Sequence, residues 1–327
     1  MINLVTTALI ETFDKKSKNL LLGSWCKIFK DKRISGYDID LNNTYHWNDR
    51  KKLKNDYFYL DSFYEKVLAN LCKQLNIYHQ TNYSERFWRI VLGPWLALFI
   101  HTTFERWENI SDLKKKDFLF KTKIINILHE DIIPLNYEEQ VRYIPTDIWN
   151  HYIYSIIIKE IFSNQIDINY IDVDYKNKKD PLAGSMDINL KEIQKIKKFN
   201  EFFFSKFLNK IKLVLNLFLK NNKYLFIDTY FGKLFEAKIN LLHFQMPYFF
   251  KLSNQIINKP KKINRNDFTV DFSTSSDFEN FIKKNISDFI PFSLLENFDL
   301  INTNFSKNYL PKKLDVILTS HILRDTN

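Results

Sequence analysis

Apolar residues fall into two patterns along the chain: short unbroken blocks, and longer stretches where they recur every three or four positions. The block Ile2–Val5, followed by Thr6 and Thr7, predicts an opening buried strand, and Leu20–Gly23 repeats the pattern. From Tyr57 to Leu75 the apolar positions Leu60, Phe63, Tyr64, Val67, Leu68, Leu71 and Leu75 share one helical face. Ser84–Trp107 predicts a longer buried helix, interrupted at Gly93-Pro94 because proline removes a helical hydrogen bond. Further on, Lys191–Leu219 has helical periodicity, Tyr224–Ile227 reads as a strand, Leu234–Phe244 as a helix, and Leu314–Leu318 as a strand running into Thr319-Ser320. Tyr175–Gly184 and Asn258–Asp267 are the polar breaks. Strands alternating with helices predict an α/β fold with a mainly parallel sheet. The last strand has only nine residues after it, so no crossover helix can follow, and a further domain is expected beyond it.

Composition narrows the class. With 327 residues, of which 45% are hydrophobic, the chain can bury a sizeable core and is not of the disordered type. The two cysteines, Cys26 and Cys72, match no zinc or redox spacing and cannot staple a fold of this size. A net charge of +10 would suit nucleic acid, an anionic surface or phosphorylated ligands. Yet 40 of the 48 basic residues are lysine, alongside abundant Ile, Asn, Phe and Tyr, as an AT-rich coding sequence would produce. No nucleic-acid signature accompanies the charge, and no nucleic-acid partner is expected. The N-terminus lacks the basic and apolar regions of a signal peptide. Ile90–Ile100, the longest apolar run, is about half the ~20 residues of a spanning helix. A cytoplasmic location is therefore expected. Lys191–Lys223, with nine lysines among its phenylalanines, reads either as a core helix or as a peripheral contact at the inner membrane.

All six tryptophans and six of the eight arginines precede residue 150, and the candidate chemistry lies there too. Tyr45-His46-Trp47-Asn48-Asp49-Arg50 places an imidazole, a carboxylate and a guanidinium just before a helix. His46 is a candidate general acid or base, with Asp49 to orient it and Arg50 to bind a phosphate or carboxylate. The bland alternative makes Asn48 or Asp49 a helix cap. Arg86 and Arg89, three apart near a second helix start, share a face and suit an anionic group, or else pair with local acids such as Glu85 or Glu105. Glu105-Arg106-Trp107-Glu108 reads as a solvated or ion-paired helix end. Glu11, after the first strand, sits where ligand loops of α/β sheets lie, or is an ordinary surface acid. The seven histidines are scattered, and no metal-ligand spacing, glycine-rich phosphate loop or nucleophile elbow is present.

The segments INLVTTALIETF, LLGSWCKIF, YHWNDRKKLKNDYFYLDSFYEKVL and YSERFWRIVLGPWLALFIHTTFERW resemble the N-terminal part of a transferase family of bacterial O-antigen and surface-polysaccharide gene clusters. The likeness is close over residues 1–110 and looser to about 245, and PKKLDVILTS resembles the junction with that family's C-terminal domain. The family in turn is similar to GT-B-type glycosyltransferases. The resemblance implies a Rossmann-like N-terminal, acceptor-side domain over residues 1–310, with a large helical insertion at about 85–220, and the start of a truncated C-terminal domain at 311–327. It implies transfer of an activated sugar from a nucleotide-sugar donor to a lipid-linked or polysaccharide acceptor, without a cofactor. His46 and Asp49 would be catalytic, and Glu11, Arg50, Arg86 and Arg89 would bind substrate. The Gln-His-Gly-Gly motif of the family's second half is missing, and His321-Ile322-Leu323-Arg324 leaves its pattern. A separate C-terminal domain chain is accordingly an expected partner. A non-catalytic binding module remains the alternative reading.

Overall fold

A computed structural model of the chain describes residues 1–27, 36–42, 44–116, 119–163, 165–176, 223–227, 233–245, 259, 264–265, 267–306 and 315–319. The helix expected at Lys191–Leu219, most of the Tyr175–Gly184 break and His321–Arg324 lie outside them. The chain divides into two compact units, one of residues 1–186 with 259–295 and the other of 187–258 with 296–327.

The first unit is built on five parallel strands: β1 (Ile2–Val5), β2 (Asn19–Leu21), β3 (Ile39–Leu41), β4 (Phe120–Ile125) and β5 (Asp167–Ile171). Their order is β3-β2-β1-β4-β5. The chain therefore grows outward from β1 in one direction, then returns to add β4 on its other side. Strands covered on both faces read as continuous apolar runs, which is why Ile2–Val5 was legible as a strand. The stretch 85–171, expected as part of a helical insertion, contributes β4 and β5 as well as helices.

Asparagine is an unlikely core residue, yet Asn3 and Asn19 are both buried and face each other in register across β1 and β2. Asn3 Nδ2 donates to Asn19 Oδ1 at 2.8 Å and to the Thr12 carbonyl at 3.0 Å. Asn19 Nδ2 in turn donates to the carbonyls of Asp14, Ser17 and Asp38, while its Oδ1 also accepts from Asp14 N. This ladder shapes the return from β1 to β2, where a 3-10 turn at Ile10–Thr12 takes the place of a crossover helix.

Helix α1 (Arg50–Tyr78) begins at Asp49, whose carboxylate accepts from Lys51 N and Lys52 N, and buries the stripe Leu60, Phe63, Val67, Leu68, Leu71 and Leu75. Helix α2 (Glu85–Val91) is capped by Ser84, and α3 (Gly93–Lys114) starts with Pro94 in its first turn. The two meet at 61°. Gly93 at that bend lets the Tyr64 hydroxyl of α1 approach closely, since a Cβ there would lie 2.6 Å from it and push it aside. Among the described residues no single helix is long and apolar enough to cross a membrane; only the bent pair α2–α3 passes on length and composition. Short helices α4 (His129–Ile132) and α5 (Tyr137–Tyr143) precede α6 (Asp147–Phe162), which is apolar nearly all round and packs against α3. Helix α7 (Lys233–Leu242) belongs to the second unit, whereas α8 (Asp277–Phe289) belongs to the first. There Glu279 of α8 accepts from Lys66 of α1 at 2.7 Å, and Phe278 and Phe281 pack on Trp107 of α3.

In the second unit β6 (Tyr224–Ile227) pairs in parallel with β7 (Val316–Thr319), in the register Tyr224↔Val316. Helix α9 (Phe298–Ser306) precedes β7. The two strands expected in this half of the sequence are thus both present and partnered with each other.

Candidate functional site

A parallel sheet brings the loops that follow its strands to one edge, and ligands of such sheets bind there, at the point where strand order reverses. Here the reversal lies between β1 and β4. Past β1 come Thr6 and Thr7, both buried, with the Thr7 hydroxyl unpartnered among the described residues. Ala8 N is fixed by the Asp147 carboxylate at 3.1 Å, at the start of α6. Past β2, the Trp25 indole donates to the Thr6 carbonyl at 3.0 Å. That ring lies directly over Gly23, where a Cβ would come within 2.2 Å of it, so only glycine permits this position.

Beside these loops is a cavity of about 450 Å³, lined by residues that follow β2 (Leu22–Trp25), residues that follow β3 (Asn42, Thr44, Tyr45) and Glu105 of α3. Glu105 is 8% exposed and held on both oxygens. Asn109 Nδ2 donates to its Oε1 at 2.7 Å, and the neighbouring Arg106 guanidinium bonds its Oε2. Arg106 Nε is anchored to Asn150 Oδ1 at 3.0 Å, and Asn150 Nδ2 caps the Ile144 and Thr146 carbonyls. A carboxylate has about four acceptor positions, so Glu105 keeps capacity for a ligand hydroxyl after these bonds. The burial of Tyr154, which touches Asn109, raises its phenol pKa, and Glu105 adds to the effect.

His46 occupies a short 3-10 turn, Tyr45 side inward, 7% exposed and between the rings of Tyr45 (4.9 Å) and Trp47 (4.7 Å). Neither ring nitrogen has a hydrogen-bond partner among the described residues. Burial holds its pKa below the ordinary histidine value, and the nearby Glu105 and Glu108 charges partly oppose that shift. The imidazole is therefore neutral at pH 7, able to accept a proton, and stabilised as a cation by Glu105. Its neighbour Tyr45 lines the cavity, whereas His46 is not among the lining residues.

The other candidates are dispersed. Asp49 spends its carboxylate on the α1 cap, and the acids whose field reaches His46 are Glu105, Glu108 and Asp112. Arg50 is exposed on the first turn of α1, and Arg86 is exposed on α2. Arg89 grips Glu65 with both terminal nitrogens at 2.6 Å and Glu85 at 2.8 Å, which raises its pKa further and ties α2 to α1. Glu11 lies on the 3-10 turn that crosses back toward β2, next to Thr12, whose carbonyl accepts from Asn3 of β1. The helix-end reading of Glu105-Arg106-Trp107-Glu108 as solvated or ion-paired allows for the Glu105–Arg106 pair, but not for its burial or for Asn150, 44 residues from Arg106. The available signal was that Glu105 and Asn109, four apart, flank the same apolar stripe.

A larger hollow of about 690 Å³ lies among α1, α3, α6 and α8, and several of the charges in its lining are engaged. Lys52 bridges Asp56 and Glu108, Lys114 bonds the Ile161 carbonyl, and Glu160 pairs with Lys284. Among the described residues no three His, Cys, Asp or Glu side chains gather as a metal-binding set.

The cavity thus lies at the carboxyl edge of β2 and β3, to one side of the reversal point, and is lined by polar and apolar groups together. The chain belongs to the LIC12162 family of transferases, whose model matches residues 2–326, in keeping with the transferase family implied by the sequence. No curated protein and no solved structure matches it.

Proposed function

We propose that this transferase moves an activated sugar, or a similar group, from a nucleotide-sugar donor to a lipid-linked or polysaccharide acceptor of surface-polysaccharide synthesis. The observation that carries the reading is a neutral, buried, unpartnered His46 under the field of Glu105, beside a hydroxyl-accepting cavity at the carboxyl edge of the sheet. In the reaction, His46 takes the proton of the acceptor hydroxyl. The new bond forms between that oxygen and the anomeric carbon, and the carbon–oxygen bond to the nucleoside diphosphate breaks. Glu105 holds a sugar hydroxyl and offsets the positive charge developing on His46. Substrate binding must draw Tyr45 aside for the ring to reach that hydroxyl. Arg50 and Arg86 are the exposed guanidiniums left to meet phosphate, whereas Arg89 is committed to Glu65 and Glu85.

The reversal of strand order between β1 and β4 supports a Rossmann-like, GT-B-type N-terminal half. On this reading the nucleotide portion is held largely by a second, donor-binding domain. The test is a panel of nucleotide sugars titrated into this chain with and without such a domain, followed by turnover of the donor that binds. Donor turnover that survives both His46→Gln and Glu105→Gln unchanged would refute the assignment.

A further inference from the structure

Apart from Arg50, the outer face of α1 is not used by the site above. The first ten residues of this helix, 50–59, include none that is buried; burial begins at Leu60. Tyr57 is 59% and Phe58 57% exposed, an expensive placement for two adjacent aromatic rings. Successive residues turn by about 100°, so Arg50, Lys54 and Phe58 follow one ridge, with Lys51 and Tyr57 on either side of it. Arg50, Lys51 and Lys54 are all exposed. The opposite face is locked: Lys52 is bound at 2.8 Å to both Asp56 and Glu108, and the Trp47 indole donates to Asp56 at 2.9 Å. These bonds fix the roll of the helix and hold the basic and aromatic ridge outward.

We propose that this end of α1 docks the protein on an anionic lipid bilayer. Arg50, Lys51 and Lys54 meet the lipid phosphates, while Tyr57 and Phe58 enter the headgroup zone. Charge complementarity selects the occupant. Three exposed cations beside two exposed aromatic rings combine phosphate contact with apolar insertion, and the neighbouring Asp49 carboxylate is turned onto the α1 backbone as its cap. A nucleic-acid strand lying along the helix would instead run onto Asp61 one turn further, and next onto Glu65, already paired with Arg89. A flat surface touched by the end of the helix avoids both acids. The proposal goes beyond the transfer reaction and depends on none of its residues except Arg50, which the test leaves unchanged.

The test is co-sedimentation of the full chain with vesicles of phosphatidylcholine alone and of phosphatidylcholine with phosphatidylglycerol. Binding is expected to the anionic vesicles only, and to weaken as salt rises. Lys51→Gln with Lys54→Gln should lower the partition about 25-fold, from about fivefold per cation. Phe58→Ser should lower it about tenfold. Lys73→Gln, an exposed lysine farther along the same helix, should leave it unchanged. Absence of binding, equal binding to neutral vesicles, or binding indifferent to the α1 substitutions overturns the proposal. So does capture of a single-stranded oligonucleotide, lost in the Lys51/Lys54 variant, without any vesicle binding.

Discussion

Asn19 in β2 and His46 in the turn before α1 are both buried polar side chains, and their surroundings differ. Asn19 gives its amide hydrogens to three carbonyls and receives bonds from Asn3 and Asp14. His46 is also buried but leaves two ring nitrogens without partners among the described residues. A buried polar group lacking its bonds costs about 1–3 kcal/mol, so a fold that retains one forgoes stability for another purpose. The asparagine ladder, in which Asn19 is bonded at both amide atoms and Asn3 Oδ1 alone of the pair lacks a partner among the described residues, holds the chain's shape. The unsatisfied histidine, beside a cavity, is where a ligand can complete the bonding.

Substitution should separate the two roles, with the greatest effect at the site. His46→Gln is expected to reduce donor turnover by about 10²–10⁴-fold. His46→Phe, which removes the unpartnered polar atoms, should leave urea-unfolding stability unchanged or slightly raised. A marked loss of stability in His46→Phe would show the imidazole to be structural and would erase the contrast. Asn19→Ala should do the converse, costing about 3 kcal/mol in urea unfolding as Asn3 and Asp14 lose their partner, with turnover per folded molecule preserved.

A third histidine gives a test in pH. His151 is fully enclosed, its Nε2 accepts from Ile125 N at 3.0 Å, and burial lowers its pKa to about 4. At pH 7 it is neutral both folded and unfolded, and contributes no pH dependence. As pH falls below 6.5 the unfolded chain takes up the proton first, so stability declines until about pH 4, by up to about 3 kcal/mol. Unfolding midpoints across that range should follow this curve, and His151→Gln should flatten it. Asp14 acts in a different window. The ammonium of Lys121 bonds its carboxylate and, with the Lys16 amide, lowers its pKa to about 2, so its contribution persists at pH 4 and disappears only as pH falls from about 4 toward 2. The smallest effect is expected at Asp49→Ala, about 1 kcal/mol from the lost α1 cap. A turnover loss there larger than its stability loss would return Asp49 to the site as the partner of His46.

Much of the fold could be read in advance because single elements report their own surroundings. Ile2–Val5 and Tyr224–Ile227 are apolar blocks of strand length, the spacing of Leu60 to Leu75 is one helix face, and Gly93-Pro94 marks the break between α2 and α3. What escaped the sequence depended on neighbours far along the chain. Glu105 is buried because α6 packs against α3 and Asn150 fixes Arg106 beside it, a relation between positions 45 residues apart. Arg89 was a plausible anion ligand until the packing of α2 on α1 brought Glu65 within 2.6 Å of it.

The sequence by itself determined the α/β class, the main helix and strand blocks and the capping residues, since propensity, periodicity and caps act over a few residues. Only the tertiary structure decided the strand order, the pairing of β6 with β7, and which charged groups would be spent on one another. Those outcomes rest on contacts between distant segments, where burial turns an ordinary Glu105 into a cavity wall and leaves His46 with open bonds.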